Sequence, residues 1–220
     1  MSNLLLGLTF LMIGDSHMAT PRYLITTLHD DLLAEGAKVV SYGACGVSAG
    51  AWVVPRAQPC GAASRDNKGP VVENRDKAAM TTPIDQLIAK VRPNVIVVEI
   101  GDPMAGYNLK EFPKATVTEN VTQLTARIKA SNLPCLWIGP SWGTEGGPYF
   151  KTFARVKELS DHLKTIVSPC QYIDSLTLSQ PGEWATFDGQ HHNSVGYQKW
   201  GQALEQVIVQ NATIRALVKH

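Results

Sequence analysis

Four cysteines among 220 residues, and no pair spaced C-x-x-C, leave neither a thiolate zinc site nor a redox dithiol to build on. Charge is sparse and balanced: 18% of residues are charged and the net charge is +1. The basic residues Arg56, Arg65, Lys68, Arg75 and Lys77 are interleaved with Asp66, Glu73 and Asp76, so no basic face for nucleic acid emerges. No apolar run approaches the roughly 20 residues needed to span a bilayer. There is no G-x-G-x-x-G and no Walker pattern, which argues against dinucleotide and nucleotide cofactors. Internal repeats, low-complexity tracts and interdomain linkers are also missing. The apolar stretch Leu4–Ile13 has no basic segment before it and no small-residue cleavage site after it, so it reads as core and not as a signal peptide. That reading leaves a cytoplasmic chain, or a periplasmic or secreted one whose leader is not in this sequence.

What is present is a 44% hydrophobic chain of a length that suits one globular domain, residues 1–220. Five apolar segments alternate with helical patterns. Strands are expected at Leu8–Ile13, Lys38–Tyr42, Asn94–Ile100, Pro134–Ile138 and Gln171–Asp174. Helices are expected from near Pro21 to Gly36, over Thr82–Val91 and Thr116–Ser131, from about Pro148 to Val167, and at the C-terminus through Leu204, Val207 and Ile208. The alternation predicts an α/β fold with a parallel sheet covered on both faces. Residues 43–79 are rich in Gly, Pro, Ser and Asn and read as a long loop that walls a site.

Two stretches carry chemistry. At the end of the first strand, Gly14-Asp15-Ser16-His17 turns the chain towards a helix at the sheet edge where α/β proteins bind ligands. Near the other end, Asp188 and His191 stand three apart on a polar loop, a spacing that lets a carboxylate orient an imidazole. Each alone has an ordinary reading, Ser16 as a helix cap and the later loop as a solvated turn with Asn193 or Ser194 capping the last helix.

Together with the glycine turn Gly43-Ala44-Cys45-Gly46 and with Gly101 after the third strand, these stretches resemble the SGNH (GDSL-like) hydrolase family, in family order over most of the chain. The resemblance implies a flavodoxin-like three-layer sandwich with a five-stranded parallel sheet. It implies Ser16 as nucleophile, His191 as base and Asp188 as its orienter, and an oxyanion hole from the N–H groups of Ser16 and Gly46, with Gly50 as the second choice. It also covers carbohydrate acetylesterases, polysaccharide O-acetyltransferases, thioesterases and lysophospholipases. The sequence departs from the family at one point: Pro103 falls where an asparagine amide would supply another oxyanion donor, and an ionised Asp102 beside it would repel the oxyanion. Either Asn108 swings in, or two donors suffice, or activity is weak.

A literal G-x-S-x-G, Gly46–Gly50, offers Ser48 as a rival nucleophile, but Ala51–Val54 reads as extended and Pro55 breaks any helix there. His17 and His192 lack a third metal ligand with suitable spacing, so no metal is expected; His17 reads as a packing or first-turn residue and His192 as an exposed neighbour. His29 and His162 read as structural. Tyr107, Trp142, Tyr149 and Trp184 lie on polar loops, where they could stack on sugar rings or plug the loops onto the domain. Cys45–Cys60 and Cys135–Cys170 are suited to pair as disulfides, with four buried thiols as the alternative. The expectation is an esterase or acyltransferase without cofactor, acting on a small O-acyl group of a carbohydrate. The alternatives are a catalytically weak or inactive glycan-binding or assembly protein with the same fold, and a thioesterase or lysophospholipase.

Overall fold

Thr9–Gly14 (β1) alternates Phe10 and Met12 on one face with Leu11 and Ile13 on the other, and all four are buried. A strand buried on both faces needs a helical layer on each side. In the computed structural model, which describes residues 3–76 and 78–218, β1 lies between parallel neighbours Lys38–Ala44 (β2) and Val95–Glu99 (β5). Cys135–Ile138 (β6) and Gln171–Ile173 (β7) continue the sheet in parallel beyond β5.

The two faces hold separate cores. Thr27–Ala34 (α1), Ser194–Gln210 (α5) and Ala212–Leu217 (α6) pack Leu28, Trp200, Leu204 and Ile214 against Phe10, Met12 and Val97. Ile84–Val91 (α2), Lys114–Ala130 (α3) and Phe153–Ile166 (α4) pack Leu87, Val121, Leu124 and Leu159 against Leu11, Ile13 and Val98. This is the expected three-layer α/β sandwich. Among the described residues no helix is long and apolar enough to cross a membrane.

The sheet has seven strands, not five. Ala62–Asp66 (β3) and Val72–Asn74 (β4) add an antiparallel hairpin outside β2, in the order β4-β3-β2-β1-β5-β6-β7. Both lie in the stretch expected to be loop. Their residues, AASRD and VEN, show little apolar alternation because an edge hairpin is held by ladder hydrogen bonds more than by burial. Other boundaries shift for local reasons. The helix expected from Pro148 begins at Phe153, because Gly146, Gly147 and Phe150 have positive φ and Thr152 caps the helix by accepting from the Arg155 N–H. Ala49–Trp52 is a 3-10 turn and not extended chain. The last helix is two, separated at Asn211, whose side chain caps the second.

Candidate active site

The C-terminal end of β1 closes into a tight turn over Ser16–Met18. Asp15 holds it from beneath: its N–H donates to the Glu99 carbonyl at 3.0 Å, while its carboxylate accepts from the N–H groups of His17 and Gly101, each at 3.0 Å. The turn passes so close to β2 that a Cβ on Gly43 would stand 2.0 Å from the Met18 carbonyl oxygen. Only glycine fits there, which accounts for the first glycine of the 43–46 turn. Ser16 is left 8% exposed at the sheet edge.

The loop before α5 turns through Gly189, at φ 92°, which brings its two polar side chains back on themselves. Asp188 Oδ1 accepts from the N–H groups of Gln190 at 3.0 Å and His191 at 2.8 Å, leaving Oδ2 to meet His191 Nδ1 at 2.7 Å. On its other side, His191 Nε2 is 2.7 Å from Ser16 Oγ, across 175 positions of sequence. Burial pushes the Asp188 carboxyl up, but hydrogen bonds from the His191 side chain and N–H groups and the nearby imidazole outweigh it and hold the group below its usual range. Tyr23 stacks on the His191 ring and Tyr149 meets it edge-on, both at 5.8 Å between centroids. The periodicity places Tyr23 near a helix start and gives no sign of this contact.

Beneath the turn lies a buried polar cluster. Asp102 is fully enclosed, and Lys151, also fully enclosed, donates to both of its oxygens. His17 Nε2 adds a contact at 3.1 Å and the Tyr107 hydroxyl donates at 2.5 Å. Burial alone would raise Asp102, but the Lys151 ammonium and the His17 contacts hold it well below the carboxylate range. The expected repulsion between Asp102 and an oxyanion therefore meets a carboxylate whose charge is offset at contact distance. Lys151 is the residue the sequence does not reveal: in the first turn of a helix expected from about Pro148, a lysine between Phe150 and Thr152 looks solvated.

Several expected roles change. His192 is buried, not exposed; it contacts Ser141 Oγ at 2.7 Å and the Trp184 carbonyl at 3.2 Å, and burial lowers its pKa to about 3. His17 is both a first-turn and a packing residue, as expected, enclosed with its Nδ1 2.8 Å from the Tyr197 hydroxyl. Trp184 is 5% exposed within the core on the α5 side, and the Trp142 indole N–H donates to the Leu176 and Ser179 carbonyls, so both plug loops onto the body. Tyr107 and Asn108 remain on the wall of a cavity with Pro103 and Tyr149. His29 contacts Ser41 Oγ and the Asn67 carbonyl, and His162 contacts Thr118 Oγ1.

Asp15, His17 and Glu99 present ligand atoms within 4.8 Å of one another, a grouping that sequence spacing does not expose. Both oxygens of Asp15 and both ring nitrogens of His17 already have partners. Burial, reinforced by the neighbouring Asp15 and Asp102, raises Glu99 well above the usual range and favours its neutral form.

Among the described residues, the backbone N–H groups of Ser16 and Gly46 have no hydrogen-bond acceptor. Gly50, the alternative donor, is occupied: its N–H goes to Asn120 Oδ1 at 3.1 Å. Ser48 Oγ donates to the same oxygen at 2.9 Å and has no imidazole partner. The cysteines are joined as Cys45–Cys60 and Cys135–Cys170. The first closes the loop that carries Gly46, and the second ties the start of β6 to the residue before β7.

No protein-family model matches this chain. It is 42% identical to Protein BcsX of Komagataeibacter xylinus over 207 residues, covering 94% of this chain and 78% of that protein. Among solved structures, it is similar to a DUF4886 family protein from Bacteroides uniformis, with a TM-score of 0.64, 17% identity and coverage of 93% and 85% of the two chains. It is also similar to the acetyl xylan esterase AlAXEase, with a TM-score of 0.60, 12% identity and coverage of 91% and 99%. The chain belongs to the family of Protein BcsX, and its fold is that of the SGNH (GDSL-like) hydrolases.

Proposed function

We propose that the chain is a serine esterase or acyltransferase acting on a small O-acyl group, acetyl first, of a carbohydrate. The observation that carries this is the unbroken Ser16–His191–Asp188 chain of contacts, 2.7 Å at each link, open to solvent at one edge of the sheet. In this reading His191 Nε2 takes the Ser16 proton as Oγ attacks the ester carbonyl. Asp188 keeps the imidazole in the tautomer that leaves Nε2 free, and stabilises the imidazolium that forms. The tetrahedral oxyanion rests on the N–H groups of Ser16 and Gly46. Collapse expels the alcohol, which receives the proton from His191. The acyl-enzyme then passes its acyl group to water in a hydrolase, or to a sugar hydroxyl in a transferase.

Two supports bear on the substrate. A neighbour of the same fold is an acetyl xylan esterase. The cavity beside Tyr149 and Gln190 is about 310 Å³, room for a short acyl group and a sugar ring. The two disulfides suit an oxidising compartment, the periplasm or the exterior.

The test is hydrolysis of 4-nitrophenyl acetate by the wild type and by Ser16→Ala. The reading expects roughly a 10³-fold or greater loss in the variant, and a serine-directed phosphonate should label the wild type at Ser16. A loss of less than about tenfold would reject Ser16 as nucleophile, and an inert wild type that resists labelling would favour a binding protein built on this fold.

A further inference from the structure

The cavity lined by Tyr149, whose ring meets His191 edge-on, is the first of three that adjoin one another. It is walled by Tyr107, Tyr149 and Gln190, the residue next to His191. A second, of about 520 Å³, shares Pro103, Gly106 and Asn108 with it. A third, also about 520 Å³, shares Gly46, Ser48 and Asn120 with the second and reaches Arg56 and Gln123.

We infer that these cavities form one cleft, with a distal subsite at Arg56 and Gln123, that holds a linear, uncharged polysaccharide while one of its acyl groups lies at Ser16. The inference rests on the esterase reading above and adds the polymer and the subsite to it.

Size is the first argument. An acetyl group and one sugar ring are accommodated by the first cavity, and the two beyond it are each larger. Charge is the second. Among the described residues, the only ionisable side chains lining the outer two cavities are Arg56 and Glu119, one of each sign. A polyanion would be repelled by Glu119 and a polycation by Arg56, whereas a neutral polyol can use both as hydrogen-bonding groups. Lining chemistry is the third. Met104, Pro113 and Val117 give the middle cavity apolar patches that suit the C–H faces of sugar rings, between polar groups at either end.

The cleft is also held open by its own bonds. Asn120, on α3, accepts from Ser48 Oγ and the Gly50 N–H and donates to the Thr116 carbonyl, so it pins the 48–50 turn to the helix. Arg56 bonds Thr81 through its backbone N–H and Gln123 Nε2 donates to Glu119, while among the described residues the Arg56 guanidinium and Gln123 Oε1 make no hydrogen bond or ion pair. They are the groups left for a ligand.

The experiment measures calorimetric binding of unacetylated linear β-1,4-oligosaccharides of xylose, glucose and mannose, two to six residues long, to the intact protein. Alongside it, kcat/KM is measured for the acetylated oligosaccharides and for 4-nitrophenyl acetate and octanoate. For at least one of the three sugars, affinity should rise about tenfold or more from dimer to hexamer. Arg56→Ala and Gln123→Ala should each weaken hexamer binding about fivefold, and should lower the ratio of hexamer to aryl-acetate kcat/KM through KM. Binding that is absent for all three sugars, or independent of length, overturns the inference. So does a strong preference for octanoate over acetate, which would make the middle cavity an acyl-chain site. Failure of the wild type to hydrolyse any ester would instead defeat the esterase reading, and the binding isotherms would still decide the cleft.

Discussion

Lys151 Nζ stands 2.8 and 3.0 Å from the two carboxylate oxygens of Asp102, with neither side chain exposed to solvent. Asp102 follows Gly101, whose N–H is bound by Asp15, the residue before Ser16. Lys151 follows the 143–147 segment, whose glycines press on the backbone of Asp188 and Gly189. The ion pair thus ties the loop bearing the serine to the loop bearing the histidine.

Lys151→Met should leave Asp102 buried without its ammonium partner, held only by His17 and Tyr107, at a cost of about 3–5 kcal/mol. Lys151→Met combined with Asp102→Asn should cost clearly less than the sum of the two single changes, because neither partner is then left as a lone buried charge. Urea denaturation of the two single variants and the double variant checks this. Additive losses would mean that the pair is not coupled.

Gly43→Ala tests the close approach of β2 to the Ser16 turn. The added methyl would meet backbone at 2.0 Å, so the turn must move. A cost of about 1–3 kcal/mol is expected from overpacking, with a fall in ester turnover on the order of 10²-fold from the displaced serine. Full activity and unchanged denaturation would show that the strand and turn separate easily.

Two buried histidines weaken the fold towards acid. Burial lowers His29 to about 4 and His192 to about 3, against 6.5 for a free histidine. The unfolded chain therefore takes up protons that the folded chain refuses. Stability is full above pH 6.5 and is lost as pH falls towards those folded values. Within that window each histidine contributes a slope of up to about 1.4 kcal/mol per pH unit. Melting temperatures between pH 7 and 4.5 should fall, and the fall should be shallower in His29→Gln. An equal fall in the variant would remove His29 from the account.

The disulfides close loops of sequence separation 15 and 35. Chain entropy assigns about 3 kcal/mol to Cys45–Cys60 and about 4 kcal/mol to Cys135–Cys170. Cys135→Ser with Cys170→Ser should therefore lower stability the more. Loss of Cys45–Cys60 should bear more on turnover, since that loop carries Gly46. Denaturation and ester hydrolysis of the two paired variants separate these effects.

The five parallel strands were legible because β1, β5 and β6 are buried on both faces, and such strands must be written as continuous apolar runs. Ser16, Asp188 and His191 were singled out as candidates by their resemblance to the SGNH pattern, one on the turn after β1 and two on the loop before α5. The β3–β4 hairpin was not, since its residues are polar and its pairing depends on a chain reversal that no local pattern encodes. Nor was the burial of His192 and Lys151, for the side chains that receive them, Ser141 and Asp102, lie 51 and 49 positions away.

Local residue choice was enough to place the five parallel strands and the main helices, and to pick out polar side chains at their ends, since burial periodicity and turn chemistry act over a few neighbouring positions. It could not say that the serine and the imidazole meet at 2.7 Å. Nor could it say that Asp102 has its charge offset inside the protein, or that three cavities adjoin along one edge. Those outcomes depend on how far apart the folded layers hold distant segments, a distance that comes only from packing the whole sheet between its two helical faces.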